Sequence, residues 1–310
     1  MNAASRVKNE PDGRDHPGSN RGFILGLGAY ALWGVLPLYF KAVAEVSPVD
    51  IVTHRVLWSL PFLAALIAVG RGWPKVRAAA ASRRTLGVLA VTALLIGGNW
   101  LLYVYAVTSG HILAASFGYY LNPLANVLLG RFVLKEQLTR LQWTAVAIAG
   151  AGISVLAAGS LGQLWISLTL CVSFALYGLL RKIVAADALT GLAIETALLF
   201  PLALLWLGWR TVAGASTFGS SATTGGLLLL AGIVSTTPLL LFTAAARKLA
   251  YSTLGMLQFL APTLQFLIAV MLYGEPFTRA HAVAFAAIWT ALALYVTALI
   301  RAPRLPQAPE

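Results

Sequence analysis

Charge is scarce in this chain. Only 10% of its 310 residues are Asp, Glu, Lys or Arg, against roughly one quarter in a soluble domain. With 59% of residues hydrophobic and a mean hydropathy of +0.81, the composition argues against a water-soluble fold. There is one cysteine, Cys171, in an apolar run, so a disulfide framework and Cys-based metal spacing are both absent. No HExxH, GxSxG, Walker loop or Cys/His cluster occurs; hydrolase, ATPase and metal chemistry lack their usual signatures, and no cofactor is expected. Acidic residues are few, 10 against 22 Lys and Arg, which leaves a net charge of +12. Such an excess often marks nucleic-acid binding, but no basic patch interleaved with aromatics stands outside the apolar segments, so no nucleic acid is expected as a partner.

What is abundant is long apolar sequence. Runs at 23–43, 48–69, 85–107, 112–134, 140–158, 162–180, 190–208, 225–246, 251–273 and 278–300 each approach the ~20 residues that a helix needs to cross a bilayer. Barrel strands would instead alternate apolar and polar residues in pieces of about ten. Residues 1–21 are polar, with no cleavable apolar core, and are expected to form a disordered cytoplasmic tail. A second tail is expected at 301–310. If the amino terminus lies inside, eighteen Lys and Arg fall on the inner side and only Lys41, Arg210 and Arg279 on the outer. That asymmetry predicts both termini in the cytoplasm and explains most of the net charge as a topology signal.

The sequence repeats itself. Asn122-Pro123 through Glu136, Leu138, Thr139 and Arg140 matches Ala261-Pro262 through Glu275, Phe277, Thr278 and Arg279 at a constant offset of 139. Tyr30 to Gly34 resembles Phe174 to Gly178, and Leu60-Pro61 resembles Phe200-Pro201. Residues 22–158 and 159–300 are thus expected to be two copies of five segments each. Because five is odd, the second copy enters the membrane from the opposite side. The expected fold is an all-α integral membrane protein whose ten transmembrane helices form two inverted five-helix repeats. In that architecture a mid-membrane site can open alternately to either side.

Ionisable groups inside hydrocarbon cost about 2.5–3.5 kcal/mol by insertion scales, so His54, Arg55 and Glu195 stand out. Aligning Pro61 with Pro201 puts Arg55 opposite Glu195. At 1.5 Å per residue, Arg55 lies about 9 Å from the outer end of its helix and Glu195 about 7–8 Å from the inner end of its own. In a core about 30 Å thick, their backbones would be about 13 Å apart along the normal. Long side chains would only just bridge that gap, so a direct ion pair is at the limit of reach. Either both face one polar cavity, with Arg55 holding an anionic group and Glu195 a cation or proton, or both satisfy helix ends and neighbouring carbonyls. His54 is a candidate proton relay or a neutral packed residue.

Helical spacing also groups Tyr30 with Trp33, Asn99 with Tyr103, Tyr119 with Asn122 and Asn126, Phe174 with Tyr177, and Gln258 with Pro262 and Gln265. Such stripes line a cavity or join helices. Tyr30, Trp33, Arg55, Asn99, Tyr103, Tyr119, Asn122, Tyr177 and Gln258 are the candidate solute contacts, with Glu195 and His54 as coupling candidates. Pro123 with Pro262 and Pro61 with Pro201 suggest bends shared by the two copies. Glu136 and Glu275, each in a Glu-x-x-Thr-Arg pattern, are expected to tie their own short turns by capping. The Gly22-to-Gly26 spacing leaves a homodimer open.

At Gly97-Gly98-Asn99-Trp100-Leu101-Leu102, Tyr119-Tyr120-Leu121-Asn122-Pro123-Leu124, Ser252-Thr253-Leu254-Gly255, Gln258-Phe259, Tyr273-Gly274-Glu275 and Thr53-His54-Arg55, the chain resembles the RarD family. That family belongs to the EamA group of the drug/metabolite transporter superfamily. The resemblance spans roughly residues 22–300. It implies ten helices, an inverted repeat, a bacterial inner-membrane location with membrane lipid as the surrounding partner, and secondary transport of a small-molecule solute, often export of a metabolite or drug. One position departs from the family pattern, which has Glu where this chain has Ala114; a charge-coupling role there is not expected. A motif-poor membrane enzyme or a channel is the alternative.

Overall fold

The computed structural model describes residues 20–108, 112–157, 164–215, 218–219, 221–274 and 279–301. Twelve helices occupy them: α1 (Asn20–Ala42), α2 (Pro48–Val69), α3 (Trp73–Ala81), α4 (Arg83–Thr108), α5 (Ile112–Phe132), α6 (Arg140–Ala157), α7 (Leu164–Ile183), α8 (Ala188–Val212), α9 (Ala222–Lys248), α10 (Tyr251–Leu257), α11 (Leu260–Tyr273) and α12 (Arg279–Arg301). Eight spans, α10 and α11 counting as one, are long and apolar enough to cross a membrane. With α5 at 21 residues and α6 at 18, they make ten crossings. Two details differ from the sequence expectation. A nine-residue helix, α3, lies between the second and third crossings, and the ninth crossing is broken into α10 and α11 at Gln258-Phe259.

The packing is related by a pseudo-twofold. Crossing 3 packs on crossing 6 (α4 on α7), as crossing 8 packs on crossing 1 (α9 on α1). Crossing 4 packs on 6 (α5 on α7), as 9 packs on 1 (α11 on α1); 2 packs on 8 (α2 on α9), as 7 packs on 3 (α8 on α4). The pairs α2 with α8, α5 with α10 and α6 with α12 are self-related. Each of these contacts has a partner under exchange of the two five-helix copies, as an inverted repeat requires, whereas the packing of α7 on α9 and of α3 on α4 and α8 has no counterpart of similar extent.

Small residues set how closely the helices approach. A Cβ on Gly22 would fall 2.9 Å from Leu249, one on Gly26 3.2 Å from Leu257 and one on Gly34 2.7 Å from Leu264. The Gly22-to-Gly26 ridge is thus filled by the end of α9, Leu249 and α10 of the same chain, and Gly34 by α11. Gly232 on α9 meets backbone, since its Cβ would lie 2.3 Å from the Trp58 carbonyl carbon; α2 and α9 cross there at the closest range a backbone allows.

The backbone differs at the two matched prolines: α5 runs unbroken through Pro123, whereas the chain breaks four residues before Pro262. Pro262 offers no N–H to the Gln258 carbonyl. That carbonyl accepts instead from Ala261 at 3.2 Å, and the Gln258 N–H turns to Gly255. The Gln258 side chain also accepts a hydrogen bond from Asn126 Nδ2 at 2.9 Å, which holds the break against α5.

The turn after α5 also differs in detail. Thr139 caps α6 as expected, but its reciprocal partner is Gln142, whose Oε1 accepts the Thr139 N–H at 2.8 Å. Glu136 caps a different helix. Its carboxylate accepts the Tyr251 and Ser252 N–H groups and the Ser252 hydroxyl at 2.5, 3.0 and 2.6 Å, serving the free N-terminal donors of α10. Glu275 lies outside the described residues, and Ala114 belongs to α5 without a described side chain. At the same end of the bundle, Lys182 donates to the Ala246 and Leu249 carbonyls, and Arg247 donates to those of Val184 and Ala186. These cations do more than mark topology: each closes the C-terminus of the other's helix.

Candidate functional site

Midway along the bundle, α2, α4, α8 and α9 enclose a cavity lined by Arg55, Val56, Ser59, Ile96, Trp100, Leu192, Glu195, Thr196, Leu199, Ser235, Thr236 and Leu239. Arg55 and Glu195 both face it. Their charges stand among the hydroxyls of Ser59, Thr196, Ser235 and Thr236, with aliphatic walls between. The volume, about 20 Å³, admits roughly one water, so a metabolite requires these helices to part.

Arg55 lies with its guanidinium carbon 3.7 Å from the centre of the Trp100 ring. Its Nε has no hydrogen-bond partner, and among the described residues no carboxylate lies within ion-pair distance of it. A half-buried cation held on a ring face, with only the Tyr119 and Tyr39 hydroxyls among its other electrostatic neighbours, is short of an anion. Beneath it, the Ser59 hydroxyl donates to the Arg55 carbonyl at 2.5 Å and accepts from Thr236 at 2.6 Å, which joins the cavity wall across α2 and α9.

Glu195 is held differently. Arg181 on α7 brings its Nε within 3.3 Å of Glu195 Oε1, with the two side chains 0% and 1% exposed. Thr92 donates to the same oxygen at 2.5 Å and the Tyr177 hydroxyl to the other at 3.4 Å. Arg181 also donates to the Asp187 and Ala188 carbonyls. Its guanidinium lies on the first turn of α8 because residue 191 is glycine: a Cβ there would fall 1.9 Å from Arg181 Nη1. Arg55, Arg181 and Glu195 together leave one net positive charge around the cavity.

The other candidate residues fall into four places. Tyr30, Trp33 and Tyr177 lie behind the wall, in an aromatic core with Phe174 and Phe242; the Trp33 ring is 5.9 Å from Phe174 and 5.6 Å from Phe242. Tyr30 donates to the Leu254 carbonyl at 3.1 Å. Asn99, Tyr103 and Tyr119 form a second group: Asn99 donates to the Leu170 carbonyl and the Ser173 hydroxyl at 2.9 Å each, and Tyr103 and Tyr119 approach to 5.6 Å. Asn122 and Gln258 belong to the crossing of α5 with the α10–α11 break. There Asn122 is fully buried and neither of its amide atoms has a partner. His54 accepts from Trp58 Nε1 at 3.3 Å and stacks on Phe218 at 5.1 Å, apart from the cavity lining.

The sequence reading missed two groups. Arg181, counted there as one more inner-face cation, is the partner of Glu195; its four-residue spacing from Tyr177 was the available signal. Asp50, at the start of α2, is 1% exposed and accepts from Arg210 at 2.7 Å and Trp206 at 2.9 Å, tying α2 to α8 at the opposite end of the bundle from Arg181.

Comparison with known proteins agrees with this architecture. The profile of the EamA-like transporter family matches residues 20–158. An "Uncharacterized transporter" of Vibrio cholerae is 46% identical, covering 92% of this chain and 94% of its own. "Protein RarD" of Escherichia coli is 44% identical over 90% of this chain and 94% of its own. A solved crystal structure, 18% identical, superposes with a TM-score of 0.69 over 90% of this chain and 98% of its own, a likeness of fold alone. Identity at this level across nine-tenths of the sequence, on ten apolar crossings, shows that the chain belongs to the RarD family of EamA-type drug/metabolite transporters, multi-pass transporters of the bacterial inner membrane.

Proposed function

We propose that the chain carries a small solute with an anionic group by alternating access, with Arg55 as the solute's counter-charge and Glu195 as the coupling group. The observation that carries this reading is the cavity wall itself, where a guanidinium without a carboxylate partner shares one chamber with a carboxylate that has one. A solute anion at Arg55 compensates its charge and excludes water from it. Proton or cation binding at Glu195 loosens its hold on Arg181, and with it the tie between α7 and α8. The two repeats, 22–158 and 159–300, act as the halves that rock about the chamber, and both termini face the cytoplasm, as the Lys and Arg distribution favours. His54, packed against Trp58 and Phe218, serves the fold in this scheme.

The test has two stages. Metabolite profiling of cells with and without the gene identifies solutes whose distribution changes, and flux of the leading anion is then followed in vesicles containing the purified protein. Saturable flux accelerated by unlabelled solute on the far side is expected. Flux linear in concentration and unaffected by trans solute would point to a pore and end the proposal.

A further inference from the structure

The loop between the second and third crossings builds a cavity away from the central chamber. About 420 Å³ of space lies between α3, the start of α4 and the α7–α8 turn, lined in part by Lys75, Ser82, Thr85, Asp187 and Thr190. That volume is in the range of small-molecule sites. We propose that it holds the phosphate headgroup of an anionic phospholipid.

Three observations lead there. First, α4 begins with Arg83 and Arg84, both exposed, and carries no acidic residue in its first turn. A helix N-terminus already bears roughly half a positive charge. Two arginines added to it, next in sequence to the lining residues Ser82 and Thr85 but not themselves in the wall, concentrate positive potential where helices ordinarily place carboxylates, and Ser82 directs its hydroxyl to the Thr85 N–H at 3.3 Å in the same turn. An anion relieves that repulsion.

Second, the cavity wall presents hydroxyls with nothing to bind. Thr85 is 6% exposed and Thr190 4%; both line the space, and among the described residues neither hydroxyl has a protein partner. A phosphate oxygen within the space they line is a suitable acceptor for both hydroxyls. The one carboxylate in the wall, Asp187, is already engaged: one oxygen accepts the Thr190 N–H at 2.7 Å and the other lies 3.7 Å from Lys75 Nζ.

Third, the position fits a lipid. Helix α3 buries Ala79 against Leu89, Val184, Ala186 and Ile194 and leaves Trp73 45% exposed at its first position, where tryptophan commonly marks the membrane–water boundary. Basic pockets between helix ends at that depth suit anionic headgroups, and the acyl chains have the apolar flanks of the neighbouring crossings to lie along.

The full chain is tested by native mass spectrometry and thermal-shift titration with phosphatidylglycerol, phosphatidylcholine and free glycerol phosphate. Phosphatidylglycerol is expected to bind at least tenfold tighter than phosphatidylcholine. Each surface charge contributes about a fivefold change in affinity, so Arg83→Gln with Arg84→Gln should weaken phosphatidylglycerol binding roughly 25-fold, while Arg140→Gln on α6 should leave it unchanged. Thr85→Val with Thr190→Val keeps the charges and should still weaken phosphatidylglycerol selectively, which covers the case of an arginine variant that fails to fold. Equal binding of the two lipids, or variants that bind phosphatidylglycerol like the parent, would overturn the proposal. Saturation of the site by glycerol phosphate alone would also overturn it, in favour of a water-soluble phosphate ligand.

Discussion

Replacing Arg55 by Met should make the protein more stable and disable it. The guanidinium lies on the Trp100 ring at 3.7 Å, worth about 2 kcal/mol in a desolvated setting, with weaker support from the Tyr119 and Tyr39 hydroxyls. Against that stands the cost of holding a cation away from water with no carboxylate beside it, several kcal/mol per ion after relaxation. Methionine fills much of the same volume, keeps contact with the ring through its sulfur and carries no charge. The difference favours the variant by about 1–2 kcal/mol. For transport the sign reverses, because an anion that loses its buried partner forfeits about 2–3 kcal/mol, roughly a thirty- to hundredfold loss in apparent affinity. Denaturant titration in detergent measures the first quantity and vesicle flux the second. A variant that unfolds more readily than the parent by over about 1 kcal/mol, yet transports normally, would show that Arg55 serves structure and that the reasoning is wrong.

The Arg181–Glu195 pair should behave in the opposite way. Arg181→Met alone leaves Glu195 buried without its cation and should cost about 3–5 kcal/mol, whereas Arg181→Met with Glu195→Leu should recover most of it; a double variant no more stable than the single would contradict this. In vesicles, Glu195→Gln combined with Arg181→Gln should leave residual flux indifferent to an imposed pH gradient, and retained pH dependence would remove Glu195 from the coupling role. Glu136→Ala deprives the α10 N-terminus of three hydrogen bonds and should cost about 1–2 kcal/mol, measurable as increased amide exchange across Tyr251–Leu257. Gly232→Ala pushes a methyl into the Trp58 backbone and should cost about 1–3 kcal/mol, while Gly87→Ala, with open space around it, should be neutral or stabilising by up to about 1 kcal/mol; thermal melts of the two compare directly.

The sequence made the crossings legible because bilayer thickness imposes one length on every helix. The inverted relation was legible because five crossings cannot return a chain to its starting side. The break at Gln258-Phe259 was not: Pro123 and Pro262 match in sequence, yet α5 stays whole, and the outcome depends on a side-chain bond from Asn126 that no spacing announces. The buried charges were readable as residues out of place. Their partners were not, since Arg181 stands at a helix end where the positive-inside pattern already accounts for it, and its contact with Glu195 requires the bare backbone of Gly191 on the next helix. The aromatic stripes gave the faces of the helices but not their destinations. Tyr30, Trp33 and Tyr177 pack on Phe242 from α9, a residue far along the chain, and periodicity carries no information about which face meets which.

Access to the chamber from both sides is the claim on which the rest depends. Ser235 lines the cavity and is 7% exposed, so Ser235→Cys in a background with Cys171→Ser offers a single reporter. Treated with a membrane-impermeant thiol reagent from one face of sealed vesicles and then from the other, this cysteine should react from both, with the balance shifting when solute is added. Reaction from one face alone whatever the solute, or from neither while flux proceeds, would contradict the account.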